Sequence, residues 1–164
     1  MSVYRNILLI HAFSGCDTTS ALFGHSKGQI LHRLRCLEFL SQITDVMENT
    51  DATSEDVVEA GIQLMVAVYG GAKDDKLSTM RYQSYCSKVC ALLTSMIPEQ
   101  FPPTERAAVY HAFLVHQQTV VWKALDNRSI DPCKWGWHLV NGRLDPIASD
   151  QCSVCSSDYY LLTE

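Results

Sequence analysis

His11-Ala12-Phe13-Ser14-Gly15-Cys16-Asp17-Thr18-Thr19-Ser20, followed by Leu22-Phe23-Gly24-His25-Ser26-Lys27, decides how this chain is read. An apolar segment, Val3 to Ser14, delivers a glycine and then an acid. A polar loop from Gly15 to Gly24 follows, rich in Thr, Ser and Gly, as turns are. Ser26 then suits the N-cap of a second helix whose first turns are basic. Such a helix–glycine hairpin–helix unit can hold a phosphate. Amides at a helix start face outward, Gly24 lets the backbone approach a ligand, and Lys27 supplies charge. Asp17 offers the hard oxygen that Mg²⁺ prefers.

Working outward, five segments read as helical. The first, about Val3–Ser14, is apolar on most faces and should be buried. In the second, Ile30, Leu31, Leu34 and Leu37 form an apolar stripe opposite Lys27 and Arg33, and the helix runs on or kinks into Phe39–Met47. A third begins with Ser54 as cap, followed by Glu55 and Asp56 at the positive end of the helix dipole. Its stripe is Val58, Ile62, Met65 and Tyr69, and Gly70-Gly71 stops it. The fourth spans about Leu77–Ile97, up to Pro98. The fifth, about Glu105–Leu125, is opened by Pro102-Pro103-Thr104 and sets Tyr110, Phe113, Leu114, Gln117 and Val121 on one face. Beyond it, Asn141-Gly142 between short apolar runs is a strong hairpin signal. The expected fold is therefore mainly α: a helical domain over 1–126, its hairpin unit over 1–37, then a Trp- and Cys-containing extension with a small β-hairpin and a loose tail over 127–164.

Composition bounds the function classes. The chain has 164 residues, 47% hydrophobic and 19% charged, enough apolar material for one sizeable core. No apolar run approaches the roughly 20 residues a spanning helix needs, so no membrane role is expected. No signal peptide is read, and the expected location is nuclear or cytoplasmic. The net charge of −5 argues against indiscriminate nucleic-acid binding, yet residues 1–36 carry +3 while 37–75 carry −8. Seven cysteines at irregular spacing suit free thiols. Cys133, His138, Cys152 and Cys155 are zinc-ligand types, but a single CxxC is a weak signal. Cys86 and Cys90, four apart on a helix, read as small core residues. His111 and His116, five apart, do not share a helix face and read as structural. Trp122, Trp135 and Trp137 read as filling the core beside the hairpin. No Walker, dinucleotide or nucleophile-elbow pattern is present.

The stretch from Asn6 to Leu34 resembles the helix–loop–helix region of flap-endonuclease-type, PIN-like 5′ nucleases, in which a helix ends in Gly-x-Asp before a glycine hairpin and a second helix. The resemblance places Gly15 and Asp17 on that Gly-x-Asp, where the Asp is a metal-binding carboxylate. It places Leu22 and Gly24 on the hydrophobic residue and first glycine of the hairpin. Ser26 stands where the family has its second glycine, and Lys27 lies one place before the usual lysine. A wider resemblance is to transposon-derived invertebrate proteins. These carry a His-Ala-x-x-Gly-Cys-Asp-Thr-Thr-Ser block, then a Pro-Pro-Thr helix with spaced His, Gln and Trp, a Gly-Trp, and a Cys-rich tail of tesmin CXC type. Here those residues are His11 to Ser20, Pro102-Pro103-Thr104, His111, Gln118, Trp122, Gly136-Trp137 and Cys152/Cys155, with Leu114 where an arginine is usual.

These resemblances imply the C-terminal part of a nuclease relative that contacts DNA backbone through Gly24, Ser26, Lys27, Arg33 and Arg35. Two-metal hydrolysis needs several carboxylates around two cations. Asp17 is the only acid among the first 37 residues, so no hydrolysis is expected from this chain alone. No cofactor is required on that reading. Mg²⁺ is the cation Asp17 suits, and the catalytic carboxylates would come from an N-terminal domain or a partner protein. The alternative is a helical protein-interaction module that docks a partner on the acidic 38–59 face or the Trp-rich extension.

Overall fold

The computed structural model describes residues 6–91, 96–123 and 130–147. Six helices occur in chain order among them: α1 (Ile7–Phe13), α2 (Lys27–Leu34), α3 (Leu40–Met47), α4 (Ser54–Val68), α5 (Leu77–Cys90) and α6 (Glu105–Lys123). A two-stranded antiparallel hairpin, β1 (Trp137–Val140) and β2 (Arg143–Pro146), follows. The mainly helical expectation holds, with one more helix than the sequence pattern gave. The second helix breaks over residues 35–39, where Cys36 and Leu37 donate to carbonyls only three residues back, tightening the last turn of α2 before α3 starts.

α6 and α4 form the centre. Their crossing is set by Gly61, where an added Cβ would stand 2.2 Å from Ala112 Cβ, so the two backbones approach as closely as small residues allow. α4 buries Val57, Ala60, Gly61, Leu64 and Val68, with Met65 and Val66 beside them. That face is rotated by about one residue from the expected Val58–Tyr69 stripe, because α2 and α3 pack on the helix as well as α6. Its cap is Thr53, not Ser54: the Thr53 hydroxyl accepts the Asp56 amide, so Ser54 is already helical. α6 is likewise buried on several sides, through Ala108, Ala112, Leu114, Val115 and Thr119, whereas Val121 of the expected stripe faces solvent.

Against this pair lie α1, which buries Leu9, Ile10, Ala12 and Phe13, and α2, which buries Ile30 and Leu34. Asn141 and Gly142 both take positive φ, 50° and 78°, giving the two-residue turn that pairs Val140 with Arg143. Trp135, just before β1, belongs to the main core and packs on His116 and Phe113. Trp122, by contrast, stays 38% exposed. α5 departs most from expectation. It buries Leu77 alone, and Cys86 is half-buried and Cys90 exposed rather than core. Among the described residues no helix is long and apolar enough to cross a membrane.

Candidate nucleic-acid interface

The His11–Ser20 block is fastened to α6 by side chains spaced along one stripe of that helix. His111, Gln118 and Trp122 stand at i, i+7 and i+11, so they share a face, and that face meets α1 and its loop. The His111 Nε2 lies 3.0 Å from the Phe13 carbonyl, capping the C-terminal end of α1. The Thr18 hydroxyl donates to Gln118 Oε1, and the buried Thr19 hydroxyl donates back to the Ala12 carbonyl. Gly15 makes the reversal between them, at φ 104°, where a Cβ would stand 2.6 Å from Ala21 Cα. The Cys16 amide closes the loop on Thr19 Oγ1 at 3.0 Å. Partial burial raises the Cys16 thiol, but hydrogen bonds with Thr18 and Thr19 outweigh this and hold its pKa below the ordinary value.

Three side chains of this unit come together at the surface. The His11 ring stacks on the Trp122 indole, centroids 5.3 Å apart and planes within 9°. Lys27 Nζ lies 3.0 Å from His11 Nδ1. An ammonium has only protons to give, so Nδ1 accepts and the ring proton sits on Nε2. Lys27 opens α2 directly after the Gly24 turn, which the His25 amide closes on the Leu22 carbonyl at 3.1 Å. Gly24 has φ 75° and nothing within 4 Å of where a Cβ would be, so the turn presents bare backbone. Ser26 and Gln29 satisfy one another's amides in a capping box. By helix geometry the amides of Lys27 and Gly28 have no acceptor within α2.

The other expected contacts do not join this cluster. Arg33 is about 120° around α2 from Lys27, and its Nη1 donates to the Val68 carbonyl at the end of α4. A cation there meets the negative end of the helix dipole. His25 packs edge-on to Tyr69 in the same region, and burial with the Arg33 charge pushes its pKa down. Arg35 caps the C-terminus of α2, exposed. Asp17 is exposed, and among the described residues no three His, Cys, Asp or Glu side chains gather closely enough to hold a metal ion. Cys133 and His138 are both exposed, on a short turn and on β1, while Cys152 and Cys155 lie outside the described residues. The sequence reading did not place His11 and Trp122 in the interface. The signal that finds Trp122 is the i, i+7, i+11 stripe of α6.

A second concavity is apolar. A groove of about 570 Å³ runs between α5 and the 96–105 segment, lined by Arg81, Tyr82, Tyr85, Met96, Phe101 and Glu105 among others. It is neither the acidic 38–59 face nor the Trp-rich extension. No protein-family model, curated protein or solved structure matches this chain.

Proposed function

We propose that this chain is the helix–hairpin–helix part of a flap-endonuclease-type nuclease relative, inert by itself, that holds nucleic-acid backbone at the start of α2. The observation that carries the reading is the Lys27–His11–Trp122 cluster beside the bare Gly24 turn. A phosphate set against the Lys27 and Gly28 amides would meet the positive end of α2 and the Lys27 ammonium together. The indole, 38% exposed, offers aromatic surface to a base or ribose. Asp17 occupies the Gly-x-Asp position, and one carboxylate does not clamp two cations. Hydrolysis on this reading therefore waits for carboxylates from another domain or chain. Arg33 is left out of the contact set, because its head group is engaged at the end of α4.

The test is fluorescence anisotropy of a labelled branched DNA duplex with Mg²⁺ across a salt series. Affinity should fall steeply with salt, and Lys27→Glu should weaken it by at least about tenfold while reducing the salt slope by about one. Trp122→Ala should weaken binding with the slope unchanged. Absence of binding at low salt, or binding indifferent to Lys27, overturns the reading. In that case the aromatic groove beside α5 favours a protein-interaction module.

A further inference from the structure

The hairpin of β1 and β2 has an open edge: among the described residues no third strand joins this sheet. Its register fixes what each face carries. Trp137 stands opposite Pro146 and Leu139 opposite Leu144, so one face is wholly apolar. His138 with Asp145 and Val140 with Arg143 make up the other face. Trp137 is half-buried, but Leu139 is 64% and Leu144 44% exposed, so the outer half of the apolar face is uncovered. All four residues of β2 are exposed, and a two-stranded hairpin is marginal until another strand or a packed face supports it.

The ladder fixes which backbone groups point outward. Hydrogen-bonded pairs alternate with non-bonded ones along antiparallel strands. The two-residue turn makes Val140 and Arg143 a bonded pair, and His138 with Asp145 is the next; the Ile147 amide continues the series by donating to the Gly136 carbonyl at 2.7 Å. Leu144 therefore turns its N–H and C=O away from β1, to the open edge. About Leu144 the run Arg143-Leu144-Asp145 is self-complementary. Laid antiparallel on a second copy with Leu144 opposite Leu144, it sets each Arg143 opposite an Asp145, with their side chains on one face.

We propose that β2 pairs with β2 of a second copy of this chain about a two-fold axis at Leu144, giving a four-stranded antiparallel sheet. Each Leu144 amide donates to the Leu144 carbonyl of the other copy. Leu139 and Leu144 of both copies form one row across the apolar face, and two Arg143–Asp145 pairs lie on the opposite face. Two four-residue edges bury far less than the roughly 1,600 Å² of a standard interface, so the dimer is weak and forms at high concentration. It involves neither Lys27 nor the Gly24 turn and stands apart from the nucleic-acid reading.

The test is sedimentation equilibrium of the full chain up to about 1 mM, where a reversible monomer–dimer equilibrium is expected. Arg143→Asp alone and Asp145→Arg alone set like charges opposite each other, and each should weaken association by at least about tenfold. An equimolar mixture of these two variants should associate at least as well as the parent, because every pair across the edge is then opposite in sign. In amide exchange followed by NMR, the Leu144 amide should slow as concentration rises. A chain monomeric throughout, a dimer indifferent to both charge changes, or a mixture no better associated than either variant overturns the proposal. So does a dimer whose Leu144 amide exchanges at the monomer's rate.

Discussion

Replacing Gly61 with alanine should loosen the centre of the molecule, and a second substitution should restore it. The added methyl would stand 2.2 Å from Ala112 Cβ and 3.2 Å from its Cα. Carbon atoms in ordinary contact lie about 3.5–4.0 Å apart, so α4 and α6 must separate by more than about 1 Å along their crossing. Overpacking of this kind costs about 1–3 kcal/mol, and a backbone-to-backbone clash belongs at the upper end. Alanine improves helix propensity by about 0.5–1 kcal/mol, so the net loss for Gly61→Ala is about 2 kcal/mol. Ala112→Gly alone gives up about 1 kcal/mol of propensity and a buried methyl worth about 0.8 kcal/mol, again nearly 2 kcal/mol. If the two acted independently, the pair would lose about 4 kcal/mol. Exchanging them instead moves the methyl from one helix to the other at constant volume, and the double variant should lose about 1 kcal/mol or less. Urea unfolding followed by circular dichroism, with equal slopes for all four proteins, gives the cycle directly. A double variant as unstable as the sum of its parts would refute this packing, and so would a Gly61→Ala protein as stable as the parent.

Other consequences are as concrete. His116 Nδ1 lies 3.0 Å from the Met47 carbonyl and donates to it, leaving Nε2 buried with no partner among the described residues, against Trp135. Burial holds the pKa of His116 at about 4, below its ordinary 6.5. Between those values the unfolded chain binds more protons, so stability is full above pH 6.5 and falls as pH drops toward 4, by on the order of 3 kcal/mol. His116→Asn keeps an N–H for Met47 and should reduce the pH dependence of urea stability between pH 6.5 and 4.5, although burial lowers the pKa of His111 as well; an unchanged slope contradicts the assignment. Arg33→Ala should lower the melting temperature by a few degrees, about 1 kcal/mol for a lost helix-end contact, and leave the salt slope of DNA binding alone. A lost salt slope with unchanged melting would put Arg33 back among the phosphate contacts. Ser26→Ala breaks the capping box and should cost about 1 kcal/mol in thermal unfolding, and no change would mean α2 is held by its apolar face alone.

What could be read from the sequence was whatever is settled by neighbours in the chain. Asn141-Gly142 specified its hairpin because only residues tolerant of positive φ fit a two-residue turn, and that preference owes nothing to the rest of the fold. Ser26 capped α2 for the same local reason. The apolar stripes failed where tertiary packing intervenes. A single amphipathic face implies a single neighbour, but α4 meets α2, α3 and α6, so it buries Val57, Ala60, Gly61, Leu64 and Val68 rather than Val58, Ile62 or Tyr69. In α5 the error ran the other way. Among the described residues Tyr85 and Val89 stay exposed and Cys86 half-buried, and composition cannot tell a core residue from an apolar one left at the surface.

The candidate interface shows the same division. Gly24 and Lys27 are three residues apart, and sequence sufficed to place them together. Arg33 looked equivalent because charge is countable and direction is not. Its side chain reaches the carbonyl of Val68, thirty-five residues away, where an unsatisfied helix end attracts any nearby cation. His11 and Trp122 are separated by more than a hundred residues, and their meeting depends on α1 lying along α6. The two helices are locked by His111 on Phe13 and Gln118 on Thr18, buried polar groups that are costly to leave unpaired and so fix the register. The surface stack of His11 on Trp122 thus follows from buried hydrogen bonds beneath it. A substitution such as Gln118→Leu should therefore disturb the stack without touching it, seen as a changed Trp122 emission, whereas an unaltered spectrum would show that the stack stands on its own.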